Sequence, residues 1–269
     1  MRFPRPAELW KAQMKHIFTE PYESGRTVKD RARHPTLPGV FPTRKATTPW
    51  VRTRLPLMAD GLIHLETDPR VVRIAVYPPK LEYSVWHDIS RRSKVRTVSP
   101  DVAVLEDDGH VTVIEYVPVA IQDECAGFVE RVRVLKQIYR EEHGCGYAVH
   151  SELSIRIEPR MANLRRQYEH SFVDDQPALE AVRDALYRYG LPSTIGTVRS
   201  AVSLPPPVYQ VLGRASEAVF TRALEEIDRH FTALMQLAHR GEVEIDLSRH
   251  YDDSSVVRWP RYRSKEGAR

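Results

Sequence analysis

The 269-residue sequence predicts an α/β protein: a central mixed sheet flanked by helices, followed by a helical, winged-helix-like module and preceded by a basic arm. Three observations carry that expectation. Two β-branched runs, Asp101–Leu105 and Val111–Val117, flank the turn Glu106–His110, in which Asp108-Gly109 supplies the positive-φ position of a hairpin. An amphipathic stretch, Gln122–Glu142, follows, with Phe128, Val132, Leu135 and Tyr139 at helical spacing and Gly144 as its stop. Beyond residue 171 the pattern turns to helices, closed by one short β-run, Val243–Leu247.

Taken in order, the first 50 residues sustain no periodicity. A short helix over Ala7–Phe18 gives way to a stretch broken by Pro21, Pro35, Pro38, Pro42 and Pro49, which reads as an arm and not as core. Leu55–Leu65 predicts a short helix ended by Asp68-Pro69, because proline disfavours helical geometry in the residue before it. Val71–Val76 and Lys80–Val85 are β-rich runs parted by Pro78-Pro79 and followed by a basic turn at Arg91–Lys94. After the hairpin and its helix, Tyr147–Val149 and Ile155–Ile157 are expected as short strands, so that 55–157 reads helix, three strands, helix, strand. Further on, Pro177–Tyr189 reads as a helix, Ser193-Thr194 caps a helix over Ile195–Val202, and Pro205–Pro207 breaks the chain. A long helix is expected over Gly213–Arg240, with Ile227, Phe231, Leu234 and Ala238 on one face and Gly241 at its end. The expected segments are therefore 1–50 (basic arm), 51–170 (α/β domain), 171–257 (helical module) and 258–269 (basic tail).

Composition sets the class. Hydrophobic residues at 42%, charged residues at 28% and a mean hydropathy of -0.44 describe a soluble globular chain. Cys125 and Cys145 form no CxxC or Cys/His cluster, which argues against a disulfide framework or a structural zinc site and for a reducing, cytoplasmic setting. No apolar run reaches the roughly 18–20 residues of a membrane span, and the start MRFPRPAELWKAQMK has no signal-peptide core, so no membrane partner is expected. No Gly-rich phosphate loop argues for an intrinsic ATPase, and the 11 histidines show no metal-ligand spacing. Charge is unevenly placed: residues 1–57 hold 12 Lys/Arg against 4 Asp/Glu, residues 258–269 hold 5 against 1, and the body between them is acidic. Basic ends suit a polyanion such as a phosphate backbone, with Arg31, Arg33, Arg44 and Lys45 of the arm and Arg91, Arg92 and Lys94 of the basic turn as candidate phosphate contacts.

The chemistry-bearing pair is Asp101 and, fourteen residues on, Glu115, which the hairpin puts on neighbouring strands. Two hard carboxylates so placed can begin a site for Mg²⁺ or Mn²⁺, the ion that phosphodiester hydrolysis uses to activate water and offset charge on the leaving oxygen. The plainer alternative is a strand-initiating Asp101 and a solvent-facing Glu115.

Around this pair, ordered segments carry a resemblance. They are Phe41–Lys45, Leu65–Val71, Tyr77-Pro78 with Tyr83, Ser99–Val102, Asp108-Gly109, Ile114–Pro118, Gly146–Glu152 and Pro159–Leu164, with Gly241–Leu247 near the end. Over about residues 40–170 this set resembles the TnsA-type transposon endonucleases of the PD-(D/E)xK nuclease superfamily. The resemblance implies a nuclease fold, metal held by Asp101 and Glu115 with the Tyr116 carbonyl adding an oxygen, DNA as substrate, and a transposase subunit and an AAA+ regulator as partners. Two positions depart from the family pattern: Met58 stands where the family has a helix glutamate, and Val117 where it has the lysine of its EVK triplet. Loss of that cation removes several kcal/mol of transition-state stabilisation. Lys136 on the following helix is the candidate for a relocated lysine, and Asp60 or Glu66 for the lost acid. The expectation is a TnsA-like protein of a mobile element that binds DNA or its transposition partners through an impaired or inactive nuclease fold. The alternatives are an active Mg²⁺-dependent endonuclease using Asp101, Glu115 and Lys136, and an adaptor acting through the C-terminal module.

Overall fold

The computed structural model describes residues 14, 16–28, 37–87, 92–206 and 227–261. The chain divides into two compact units, one comprising the residues up to Glu66 together with Arg70–Arg156, the other Thr67–Pro69 and everything from Ile157.

In the first unit, β1 (Gly39–Pro42) and β2 (Trp50–Thr53) pair antiparallel and lead into α1 (Pro56–Thr67). The central sheet is then built from β3 (Val71–Val76), β6 (Val102–Glu106), β7 (Val111–Tyr116) and β8 (Gly146–His150), adjacent in that order. Its first three strands are antiparallel, and β8 runs parallel to β7. A parallel neighbour needs a crossover, which α2 (Val119–Glu124) and α3 (Phe128–Ile138) provide. Between β3 and β6 the chain makes a separate hairpin of β4 (Leu81–His87) and β5 (Arg92–Val98). The β6–β7 turn closes as its sequence demands: Gly109 has φ 84, and the Asp108 carboxylate accepts from the His110 amide at 2.8 Å. Strand alternation turns Ala103, Val113 and Tyr147 to one face, where Leu135 and Tyr139 of the crossover helix meet them in a core shared with Ile17 and Phe18. On the opposite face Gly61 of α1 lies against the Tyr116 ring; a Cβ there would sit 2.0 Å from a ring carbon.

The second unit contains α5 (Arg160–Ser171), α6 (Gln176–Tyr189), β9 (Ser193–Thr194), α7 (Ile195–Ala201), α8 (Arg229–His239), β10 (Glu244–Ile245) and β11 (Val256–Arg258). The three strands form an antiparallel sheet in the order β10-β11-β9. Side-chain caps start the helices: Asp175 accepts from Ala178 N, Thr194 from Thr197 N and Asp228 from Phe231 N. Helix α8 is buried all round, from Phe231 through Ala238 without interruption, with α5, α6 and α7 against it. Its two buried polar residues are satisfied: Thr232 Oγ1 pairs with His170 Nδ1 at 2.8 Å, and Gln236 Nε2 donates to the carbonyls of His170 and Val173.

The structure departs from the sequence reading at several points, each with a local cause. Met14, Ile17, Phe18 and Phe41, expected in an arm, are buried in the first unit. Arg92–Val98 is a strand where a basic turn was expected at Arg91–Lys94. The expected Gln122–Glu142 helix is three pieces, α2 and α3 parted at Gly127 with φ 79, and a π-helical turn over Tyr139–His143 that continues α3. Ile155–Ile157 is no strand: reciprocal Ser151 and Ser154 hydrogen bonds instead nucleate the single turn α4 (Glu152–Ile155). The unit boundary falls after Arg156 and not after residue 170, because Asn163 of α5, fully buried, donates to Leu247 O and Arg249 O and accepts from Tyr251 N. Asp228 caps α8, so Ile227 precedes that helix, and residues 213–226 lie outside the described residues.

Candidate functional site

Cross-strand register places Val102 opposite Ile114, and Asp101 N donates to Ile114 O at 3.1 Å, so Asp101 and Glu115 stand at the same end of the β6–β7 pair. Both acids are buried. Burying a carboxylate is costly unless donors surround it, and the fold supplies them.

Asp101 is met by Arg54, from the link between β2 and α1. Arg54 Nε donates to Oδ1 at 2.5 Å and Nη2 to Oδ2 at 2.7 Å, a two-pronged pairing, while the Tyr116 amide adds a third bond to Oδ2 at 2.8 Å. The same Nη2 also donates to the Tyr116 carbonyl at 2.7 Å. Burial works against the guanidinium charge, but the Asp101 hydrogen bonds and charge outweigh it and leave the Arg54 pKa raised. Glu115 is met from the crossover helix: Arg131 Nη2 donates to Oε1 at 2.8 Å and Oε2 at 2.7 Å, and Tyr147 OH to Oε1 at 2.8 Å. Burial and then the Glu115 charge push the Tyr147 hydroxyl up, so it stays a donor. At the margin, Tyr77 holds φ 52, a left-handed conformation costing on the order of 1–2 kcal/mol, fixed by its amide bond to Asp101 O and its carbonyl bond from Gly25 N.

The other predicted positions fall as follows. Met58 is fully buried and its sulfur accepts from Tyr77 OH at 3.3 Å; Val117 is buried and its amide bonds to His150 O. Lys136 lies on the exposed side of α3, next to the inward Leu135. Asp60 is paired with Arg156 at 2.7 Å. Glu66, with no exposure, accepts from Thr43 Oγ1 at 2.6 Å and from the Arg44 amide at 2.9 Å. The structure thus holds Asp101 on the Tyr116 backbone with Glu115 at the same end of the neighbouring strand, each acid on its own arginine, while Lys136 is exposed and Glu66 is taken up by Thr43 and Arg44. Of the basic candidates, Arg44 is exposed after β1, whereas Lys45 Nζ donates to Leu65 O at 2.9 Å at the end of α1. Arg92 and Lys94 lie on β5; Arg31, Arg33 and Arg91 fall outside the described residues.

Arg54 and Arg131 were not singled out in the sequence. Arg131 left a faint signal, a cation one turn before Leu135 within the inward arc of an amphipathic helix. Arg54 left none.

The residues present do not fit a divalent ion. A Mg²⁺ or Mn²⁺ site needs open oxygen lone pairs and uncompensated negative charge, yet two guanidinium groups balance the two carboxylates, and Arg54 already holds the Tyr116 carbonyl. Among the described residues no three His, Cys, Asp or Glu side chains converge into a metal-binding group. No protein-family model and no curated protein matches the chain.

Proposed function

We propose that this chain is a TnsA-like protein of a transposon-type mobile element, and that its nuclease-like unit binds DNA and transposition partners without cutting. One observation carries the reading: each acid of the would-be metal pair is neutralised by its own arginine, Asp101 by Arg54 and Glu115 by Arg131. The order α1, β3, β6, β7, α3, β8 around a mixed sheet is the order that a PD-(D/E)xK core requires, and it supports the fold part of the proposal. The test is incubation of the protein with supercoiled plasmid in Mn²⁺, beside gel-shift binding to short duplexes in EDTA. The expected result is retarded duplex and intact plasmid. Plasmid cleavage abolished by Asp101→Ala refutes the non-cutting reading, and absence of any shift refutes DNA binding.

For the second unit the docking role is favoured over DNA reading. From α6 onward its described elements run helix, strand, helix, helix, strand, strand, a winged-helix-like order in which the third helix enters the groove. Here that helix is α8, whose residues Phe231–Ala238 are all buried. A helix buried throughout Phe231–Ala238 has only its ends to offer a groove, which supports contacts with a transposase subunit or AAA+ regulator over base reading. Co-purification of the full chain with the element's own partners tests it; specific DNA binding lost on substituting α8 residues without loss of fold refutes it.

A further inference from the structure

The second unit carries a surface that its own core leaves unused. Helix α6 ends in Tyr187-Arg188-Tyr189, and all three residues are exposed, Tyr187 by 62% and Tyr189 by 70%. Strand β11 runs out into Arg258-Trp259-Pro260-Arg261. These two segments, distant in sequence, meet ring to ring: Tyr187 and Trp259 lie with centroids 5.0 Å apart and planes inclined by 34°. Trp259 packs on the core of the unit and so anchors Tyr187 at the surface. The seven residues of the two segments hold three aromatic rings, three arginines and no acid. Of the acids on adjoining positions, Glu242 is held at 2.7 Å by both Nε and Nη2 of Arg183, and the Glu244 carboxylate accepts from the Arg261 amide at 3.4 Å. That leaves Asp184, one turn before Arg188, as an exposed acid against three arginines. Arg258 Nε has no hydrogen-bond partner among the described residues, so this guanidinium is not locked into an internal fork. The sequence beyond, 262–269, adds three cations and one acid.

We infer that this surface binds single-stranded nucleic acid: unpaired bases stack on Tyr187 and Tyr189, and Arg188, Arg258 and Arg261 meet the phosphates of the same strand. Charge selects a polyanion, because the surface is basic on a chain whose residues 58–257 hold 23 Lys/Arg against 31 Asp/Glu. Ring exposure selects unpaired bases. A duplex hides its base faces in its own stack, whereas a single strand offers a face to each ring whatever its sequence. Preorganisation strengthens the contact, since Trp259 already restricts Tyr187 and little side-chain freedom remains to be lost. A second copy of this chain suits the rings but not the charge: a two-fold contact would set the same three arginines against themselves. The inference is independent of the nuclease-like reading of the first unit and of the docking role read from α8, because stacking needs a ring on the surface and not a helix face in a groove.

The experiment is fluorescence anisotropy of labelled oligo(dT), oligo(U) and a blunt duplex of equal length with the full chain, in EDTA and over a range of salt. Wild type is compared with the double variant Tyr187→Leu with Tyr189→Leu, with Tyr189→Ala, and with Arg188→Gln combined with Arg261→Gln; thermal unfolding checks that each is folded. Leucine keeps apolar bulk beside Trp259 and removes the π face. Wild type is expected to bind a single strand, and the two homopolymers tell DNA from RNA. The double leucine variant is expected to lose about tenfold or more in affinity for that strand and less than about twofold for the duplex, and Tyr189→Ala to lose about fivefold for the strand. The arginine variant is expected to lower the slope of log K against log salt by about 1.4. A wild type that binds neither strand overturns the inference. So does a folded double leucine variant that binds the strand as the wild type does, and so do equal losses on strand and duplex. Should the double leucine variant not fold, Tyr189→Ala decides: a fivefold loss supports the inference and an unchanged affinity overturns it. A wild-type dimer in sedimentation that the leucine variant dissolves, or a transposition partner that it fails to retain, with strand binding intact, assigns the surface to protein and overturns the inference as well. Plasmid cleavage and duplex retardation are scored separately, so the reading of the first unit stands or falls without deciding this one.

Discussion

Replacing Arg131 with Met tests whether the second acid is held by charge or merely by shape. The pair lies with Glu115 at 9% and Arg131 at 25% side-chain exposure and N–O separation of 2.7 Å. Charge centres about 4 Å apart at an effective dielectric of about 20 attract by about 4 kcal/mol. Since the arginine is a quarter exposed, screening reduces this, and breaking the pair is expected to cost about 2–3 kcal/mol. The partner substitution Glu115→Gln keeps an acceptor for Tyr147 OH and removes the charge. Alone it costs about 1 kcal/mol, because Arg131 regains water. The double variant is then expected to be no less stable than Arg131→Met, with a coupling of about 2 kcal/mol. Urea denaturation, monitored by intrinsic fluorescence, measures all four corners of the cycle. A coupling below about 0.5 kcal/mol refutes the charge argument, and so does an Arg131→Met variant as stable as the wild type.

Two further outcomes follow from the packing. Gly61→Ala drives a methyl group onto the Tyr116 ring, whose carbons lie 2.0 and 2.4 Å from the ideal Cβ position; the expected loss is about 2–3 kcal/mol in urea denaturation, and a neutral result means that α1 does not approach β7 so closely. In the second unit, burial lowers the His170 pKa below its ordinary 6.5, more than Glu169 and Asp228 raise it. The unfolded chain therefore takes up the proton first. Stability is whole above about pH 6.5 and falls as pH drops from there toward the lower folded value; His170→Gln is expected to flatten that slope in pH-dependent melting, and an unchanged slope assigns it elsewhere.

What the sequence disclosed was local. The β6–β7 hairpin was legible because Asp108-Gly109 can make only a few kinds of turn and both flanks are β-branched, and α3 because Phe128, Val132 and Leu135 keep helical spacing. Asp101 and Glu115 came together because a tight turn fixes register over so short a loop. The partners of the acids were not legible. Arg54 lies 47 residues before Asp101 and meets it only once the sheet is assembled, and nothing in the Arg54-Leu55 link marks this arginine from Arg52 of β2. Likewise the reach of Asn163 to Leu247, Arg249 and Tyr251 spans more than 80 residues, which is why a unit boundary ahead of α5 was not legible. Strand β5 hid behind its own charges: Arg92, Lys94 and Arg96 mask a β-compatible Val95, Thr97 and Val98.

The enclosed α8 helix has a consequence for how the second unit comes apart. A helix with one wet face can fray and re-form while its neighbours stay in place, but the amides of Phe231–Ala238 have no such route. They exchange with deuterium only when the layers around them separate, so their exchange rate should equal that of the slowest protons of the unit. Denaturant should then unmask the amides of α5, α6 and α8 at one concentration, as a single cooperative block.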